Sequence, residues 1–182
     1  MNKSTKGALA ATTGAVLLLG GAGSLAYWNA AATVAGGTIN SGRLSLTDST
    51  AGGGCSAANW TIDTAESPSG VTFNTSTDTV VPGDVLTKHC TYVINGSGTH
   101  LRATIAAAGG AASGALSSAL TTAGSFTVGG AAATSVTSAD NGKTLDAAIS
   151  VTFPYGSTAD NSTQLKAATL SSFVVTLTQV HN

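Results

Sequence analysis

From residue 41 onward, apolar and polar residues alternate in short runs separated by turn clusters, the pattern of half-buried β-strands. The spacing predicts strands at Gly42–Asp48, Asn59–Asp63, Gly70–Asn74, Val85–Asn95, Leu101–Ala107, Ser125–Val128, Leu145–Phe153 and Leu170–Val180. The runs LDAAISVTF and LSSFVVTLTQV are long and rich in β-branched residues, so both are expected to be central strands. Clusters such as SPSG, VPGD, NGSG, ADNG and TADN mark turns between them. Two stretches break the pattern: residues 109–124, where Leu116 and Leu120 stand four apart as in a short helix or an elaborated loop, and residues 162–168. Eight short strands without long helical patterns predict an all-β domain, an antiparallel two-sheet sandwich of jelly-roll or Ig-like type, after an N-terminal signal helix.

The first 26 residues follow a different rule. Lys3 and Lys6 precede an apolar, uncharged stretch from Ala8 to Gly23, and Ser24-Leu25-Ala26 is a small-x-small triplet. This is the layout of a secretory signal peptide, with cleavage expected between Ala26 and Tyr27. A retained membrane anchor is the alternative, and an uncleaved signal would be the protein's one route to a membrane. The expected organisation is a signal peptide (1–26), an N-terminal arm (27–40) and a β-domain (41–182).

Export changes the reading of the two cysteines, Cys55 and Cys90, which lack CxxC or metal-ligand spacing. In an oxidising compartment they are expected to form one disulfide. Closing a loop of about 35 residues stabilises a fold by roughly 4 kcal/mol on the chain-entropy model.

Only 8% of the 182 residues are charged. Setting Lys3 and Lys6 aside leaves five basic residues against eight acidic ones, which argues against binding to nucleic acid or anionic membranes. The same scarcity leaves sheet edges without the charges that normally deter association, so self-association is expected.

Candidate chemistry is sparse, and no catalytic residue, metal site or cofactor is assigned. His89, His100 and His181 sit in no HExxH or His-x-His pattern. His89 and Cys90 are neighbours in a strand, so they point to opposite faces and cannot act as base and nucleophile. The glycines form no nucleotide-binding fingerprint. Asp140–Asp146 (DNGKTLD) and Asp160-Asn161 offer oxygens suited to calcium, but read first as hairpin turns. Asn59, Asn74, Asn95 and Asn161 begin N-glycosylation sequons and are expected in accessible turns.

Several segments together resemble the TasA and camelysin family of exported biofilm-matrix and surface proteins. They are GGAGSLAYWN at the signal's end, the first strand INSGRLSLT, the segment VVPGDVLTKHCTYVINGSG, and the closing DNSTQLKAATLSSFVVTLTQV. The likeness covers about half the chain, and residues 109–139 match none of it. It resembles an actinobacterial version of the family, whose signal is cut by a dedicated, endoplasmic-reticulum-like (SipW-type) signal peptidase. The resemblance implies a secreted jelly-roll protein of the extracellular matrix or cell surface that assembles by donor-strand complementation. Its partners are then other copies of itself and an accessory matrix or cell-wall protein. Camelysin has also been classed as a metalloprotease, and no metal motif here supports that activity. The cysteines are a departure from the family pattern.

Under that reading the arm is the working part. In an extended chain Trp28, Ala30, Ala32 and Val34 share one face, with Tyr27 on the other. Trp28 is a large anchor followed by small residues suited to a packed groove, and Gly36-Gly37 is a candidate hinge. Head-to-tail donation does not close on itself and predicts filaments. The alternative is a monomeric secreted or surface-attached binding or adhesion domain, with the arm a spacer or an edge strand of its own subunit.

Overall fold

The structure, a computed structural model, describes residues 28–63, 70–157 and 161–181. The expected signal peptide and the cleavage pair Ala26 and Tyr27 lie outside the described residues. The chain divides into two units, residues 1–39 and 40–182. The second holds all the strands among the described residues: β1 (Arg43–Asp48), β2 (Trp60–Ile62), β3 (Val71–Phe73), β4 (Val85–Ser97), β5 (Arg102–Gly109), β6 (Ala112–Ser113), β7 (Thr121–Val128), β8 (Ala131–Ala132), β9 (Ser135–Thr137), β10 (Thr144–Thr152), β11 (Thr169–Leu170) and β12 (Phe173–Gln179). The protein is all-β, and its ladders are antiparallel.

β4 organises the larger sheet. Its 13 residues, VLTKHCTYVINGS, are rich in the β-branched and aromatic side chains that suit a pleated surface. One edge pairs with β10 from Val85 to Val93. The other is shared by two shorter strands, β1 along Tyr92–Ser97 and β2 at Leu86 and Thr87. The sheet order is β3-β2-β4-β10-β7-β8, with β1 also on β4. A second sheet, β12-β5-β9, and a two-stranded ladder, β11-β6, complete the described strands.

Alternation places the core between these sheets. Leu145, Ala147, Ile149 and Val151 of β10 are buried while the residues between them are half-buried. A continuous cluster joins Ile94, Val128 and Leu145 of the larger sheet to Ala103, Ile105 and Val136 of the smaller one. Leu44, Leu46, Val175 and Leu177 pack against it, half-buried.

The final strand departs from expectation. Residues 170–180 do not form a central strand; β12 lies at the edge of its sheet, paired to β5 alone. The run is also interrupted at Ser171-Ser172. The register does not slip there: Leu170 lies opposite Ala112, and Phe173 opposite Gly109. The cause is Gly109 and Gly110 at the end of the facing strand β5, with φ of 92° and 67°, a left-handed backbone that breaks the extended run. A side chain at Gly110 would collide with the Phe173 ring. LDAAISVTF, by contrast, is central as expected, between β4 and β7.

Other differences are local. Residues 109–124 contain β6 and one 3₁₀ turn, Ser117–Ala119, rather than an α-helix, and β7 begins at Thr121, four residues earlier than expected. Leu116 is buried and its amide bonds the Ala167 carbonyl, so tertiary contact sets this segment's shape. Asn95 lies inside β4, not in a turn; its side-chain amide donates to Thr47 Oγ1 at 3.0 Å.

Replacing the fully buried Leu145 by Ala is expected to destabilise the domain by about 3 kcal/mol, whereas Thr178→Ala on the exposed face changes stability by less than about 0.5 kcal/mol. Urea unfolding of both variants, read as a shift in midpoint at unchanged slope, checks this.

Candidate functional site

Two features stand out from the packed domain: the N-terminal arm and a cleft on the core-facing side of β2 and β4. In the arm, Trp28 through Ile39 form neither helix nor strand. Trp28, Val34 and Ile39 are 93%, 91% and 96% exposed, and no charged residue occurs among residues 28–39. Ala30 and Ala32 are likewise exposed. Neither Gly36 nor Gly37 has a positive φ, and an added Cβ on either would meet nothing within 4 Å. Three large apolar side chains thus stand in water on an uncharged segment, a combination that marks interaction surfaces.

The second feature begins with Asp48, the last residue of β1. Its carboxylate accepts hydrogen bonds from the amides of Thr50 at 2.9 Å and Cys55 at 2.8 Å, folding the glycine-rich loop that follows. These bonds, the Cys55 amide first, hold the carboxyl below the usual carboxylate range. Ser49 and Thr50 then bond Thr91, and Cys55 reaches Cys90 with Cα atoms 5.1 Å apart. The disulfide expected from the sequence is present. It pins residues 49–58 along the stretch of β4 edge left open between β1 and β2. Cys90 is 2% exposed, whereas His89 points outward.

One step before Cys90 on the same face of β4 stands Lys88, half-buried, directly across the ladder from Ile149. Continuing the β2 register places Trp60 on its other side. The Lys88 ammonium lies 5.9 Å from the centre of the Trp60 ring, a cation–π arrangement, and donates to the Ser56 carbonyl at 3.4 Å. Trp60 meets Phe173 with ring centroids 6.2 Å apart at 60°. Between this floor and residues 168–173 runs a cleft of about 710 Å³, with Tyr92 on its wall. A second hollow of about 440 Å³ adjoins it, and Trp60 and Lys88 line both. The Tyr92 hydroxyl is held above its ordinary value, by burial first and by the Asp48 charge second.

The cleft exists because the core filling stops here. Opposite Trp60 and Lys88, the 168–172 segment supplies mostly Ala, Thr and Ser, too short to reach across. The sequence reading missed this site. Its one visible signal was Lys88 itself, which interrupts the inward series Leu86, Cys90, Tyr92 and Ile94.

Of the oxygens suited to calcium, those of Asp146 lie within β10 and Asp160 falls outside the described residues, while Asp140 serves a turn. Asp140 accepts from the Thr137 amide at 2.8 Å and pairs with Lys143 at 2.9 Å, and these contacts, Lys143 first, hold its carboxyl below the usual range. Asn141 accepts from the Gly96 amide at 3.0 Å. Asp84 closes the VPGD turn by accepting from Val81 at 2.7 Å, with Gly83 at φ 108° as that turn requires. Among the described residues no three His, Cys, Asp or Glu side chains gather as a metal-binding group.

Removing the disulfide with Cys55→Ser and Cys90→Ser together is expected to cost about 4 kcal/mol, measured as loss of unfolding free energy in urea relative to the oxidised protein. Acid provides a second check. Because the carboxyls of Asp48 and Asp140 are depressed in the fold, their stabilisation is present above the unfolded carboxylate pKa of about 4 and is lost as pH falls through their lower folded values. The urea midpoint is therefore expected to fall from pH 5 toward pH 2.5, both roughly chosen to bracket that window, and to fall less steeply in Asp140→Asn.

Neither a protein-family model nor a curated protein matches this chain.

Proposed function

We propose that this protein is exported, released from residues 1–26, and works outside the cell as a structural subunit that forms or decorates matrix fibres. In this reading the sheets are the two layers of a jelly-roll or Ig-like sandwich, and the arm of one subunit adds a strand to the next, head to tail. The observation that carries it is the arm itself: an uncharged segment with Trp28, Val34 and Ile39 almost fully exposed. A soluble chain gains by covering such a segment.

The domain offers edges to receive it. β12 pairs with β5 alone, β1 pairs with β4 alone, and no charged side chain occurs in residues 169–179. Unpaired, uncharged strand edges are templates for strand addition. Each main-chain hydrogen bond gained is worth about 1 kcal/mol net, and an indole seated in a pocket adds about 2 kcal/mol or more. Because the contact is heterologous, it propagates rather than closes. The resemblance of the signal and first strand to the TasA and camelysin family supports the same reading.

Electron microscopy of the protein beginning at Tyr27 is expected to show filaments. Deleting residues 27–35 is expected to abolish them, and Trp28→Ala to slow their growth several-fold at equal concentration. Filaments that persist unchanged without the arm would refute donation by this segment.

A further inference from the structure

We propose that the cleft beside Lys88 is a binding site for an acidic oligosaccharide, with a sugar ring against Trp60 and Phe173 and a uronate carboxylate on the Lys88 ammonium. The inference is independent of fibre assembly and does not involve the arm.

Lys88 carries the argument. It occupies a core-facing position, between Leu86 and Cys90 on the inward face of β4 and across from Ile149, which is 3% exposed. Its stem is half-buried while its ammonium stays open to solvent at the cleft, where an incoming anion can reach it. Among the described residues no carboxylate pairs with it; the single ion pair is Lys143 with Asp140. Its partners are one carbonyl, Ser56, and the face of Trp60. Three donor hydrogens on an ammonium leave capacity for an incoming anion. Asp48 forms no ion pair with Lys88; its carboxylate is held by the Thr50 and Cys55 amides.

The walls define the rest of the ligand. Trp60, Phe173 and Tyr92 present ring faces and edges, which suit the C–H face of a pyranose. Ser171 and Ser172 bring exposed hydroxyls to the rim for sugar hydroxyls. The cleft, at about 710 Å³, falls within the range of small-molecule sites. The adjoining hollow shares Trp60 and Lys88, so the two together accommodate consecutive sugar units rather than one. A purely apolar ligand would leave Lys88 unpaired, and a bare inorganic anion would leave the three rings uncovered.

The test uses the exported protein carrying Trp28→Phe, so that Trp60 is the only indole in the mature chain. Titration with an oligogalacturonate tetramer is expected to change Trp60 emission saturably. Methyl-esterified tetramer, in which the carboxylates are masked, is expected to bind at least about tenfold more weakly, which is about 1.4 kcal/mol. Lys88→Met is expected to lose the same factor toward the acid form and none toward the ester, while Lys88→Arg keeps affinity within about threefold because the charge remains. Thermal melting of each variant confirms that it is folded. Equal affinity for acid and ester, or no emission change at millimolar tetramer, would overturn the proposal. So would an acidic peptide, or a synthetic peptide of residues 28–39, binding as tightly as the tetramer, since the cleft would then belong to a protein segment.

Discussion

The domain depends on satisfying both edges of β4. A strand of 13 residues exposes more main-chain donors and acceptors than one short neighbour can pair, and unpaired buried groups are costly. β10 covers one edge from Val85 to Val93. The other is divided among β1, β2 and the loop from Ser49 to Ala58, which fills the gap with bonds to Thr91 and with the Cys55–Cys90 bridge. The disulfide therefore does more than shorten the unfolded chain. It secures the stretch of that second edge that lies between β1 and β2.

The arrangement at that edge also creates the cleft. Cys55 and Ser56 of the loop line the cleft beside Trp60 and Lys88, and the small residues at 168–172 leave it unfilled. A lysine in line with the core residues is tolerated because its ammonium reaches the Ser56 carbonyl and the Trp60 ring. The low charge that leaves strand edges open to pairing also makes Lys88 conspicuous, because few other charges compete with it. The proposed assembly surface and the proposed ligand site thus arise from one compositional trait while occupying different segments.

Much of the strand layout was legible in the sequence. Alternation located β1 through β5 and β10 to within a few residues, because a strand with one face in the core must alternate wherever it pairs. The pairing of Cys55 with Cys90 followed from there being two cysteines in a chain with an export-type leader. The rank of each strand within its sheet was not legible. The run at 170–180 has the composition of a central strand, yet β12 is an edge. β4, which looked like one strand among several, is the hub. Residues 109–124 were ambiguous because the Leu116–Leu120 spacing suits a helix turn as well as the loop that burial of Leu116 selects. Asn95, the last residue of the strand expected at Val85–Asn95, pairs with Ser45 and bonds Thr47, and β4 runs past it to Ser97.

The sequence by itself determined what is local: strand positions, the VPGD turn, an uncharged arm led by Trp28, and the scarcity of charge. Those features rest on side-chain period, backbone restriction and composition, which act over a few residues. Tertiary structure decided which strands lie inside and which at the edges, that the ladder breaks where Gly110-Ala111 face Ser171-Ser172, and that Trp60, Lys88, Tyr92 and Phe173 meet around one cleft. These residues are separated by up to more than a hundred positions in the chain. Their meeting depends on which strand edges pair, a choice made by hydrogen bonding and burial across the whole domain and written in no short stretch of it.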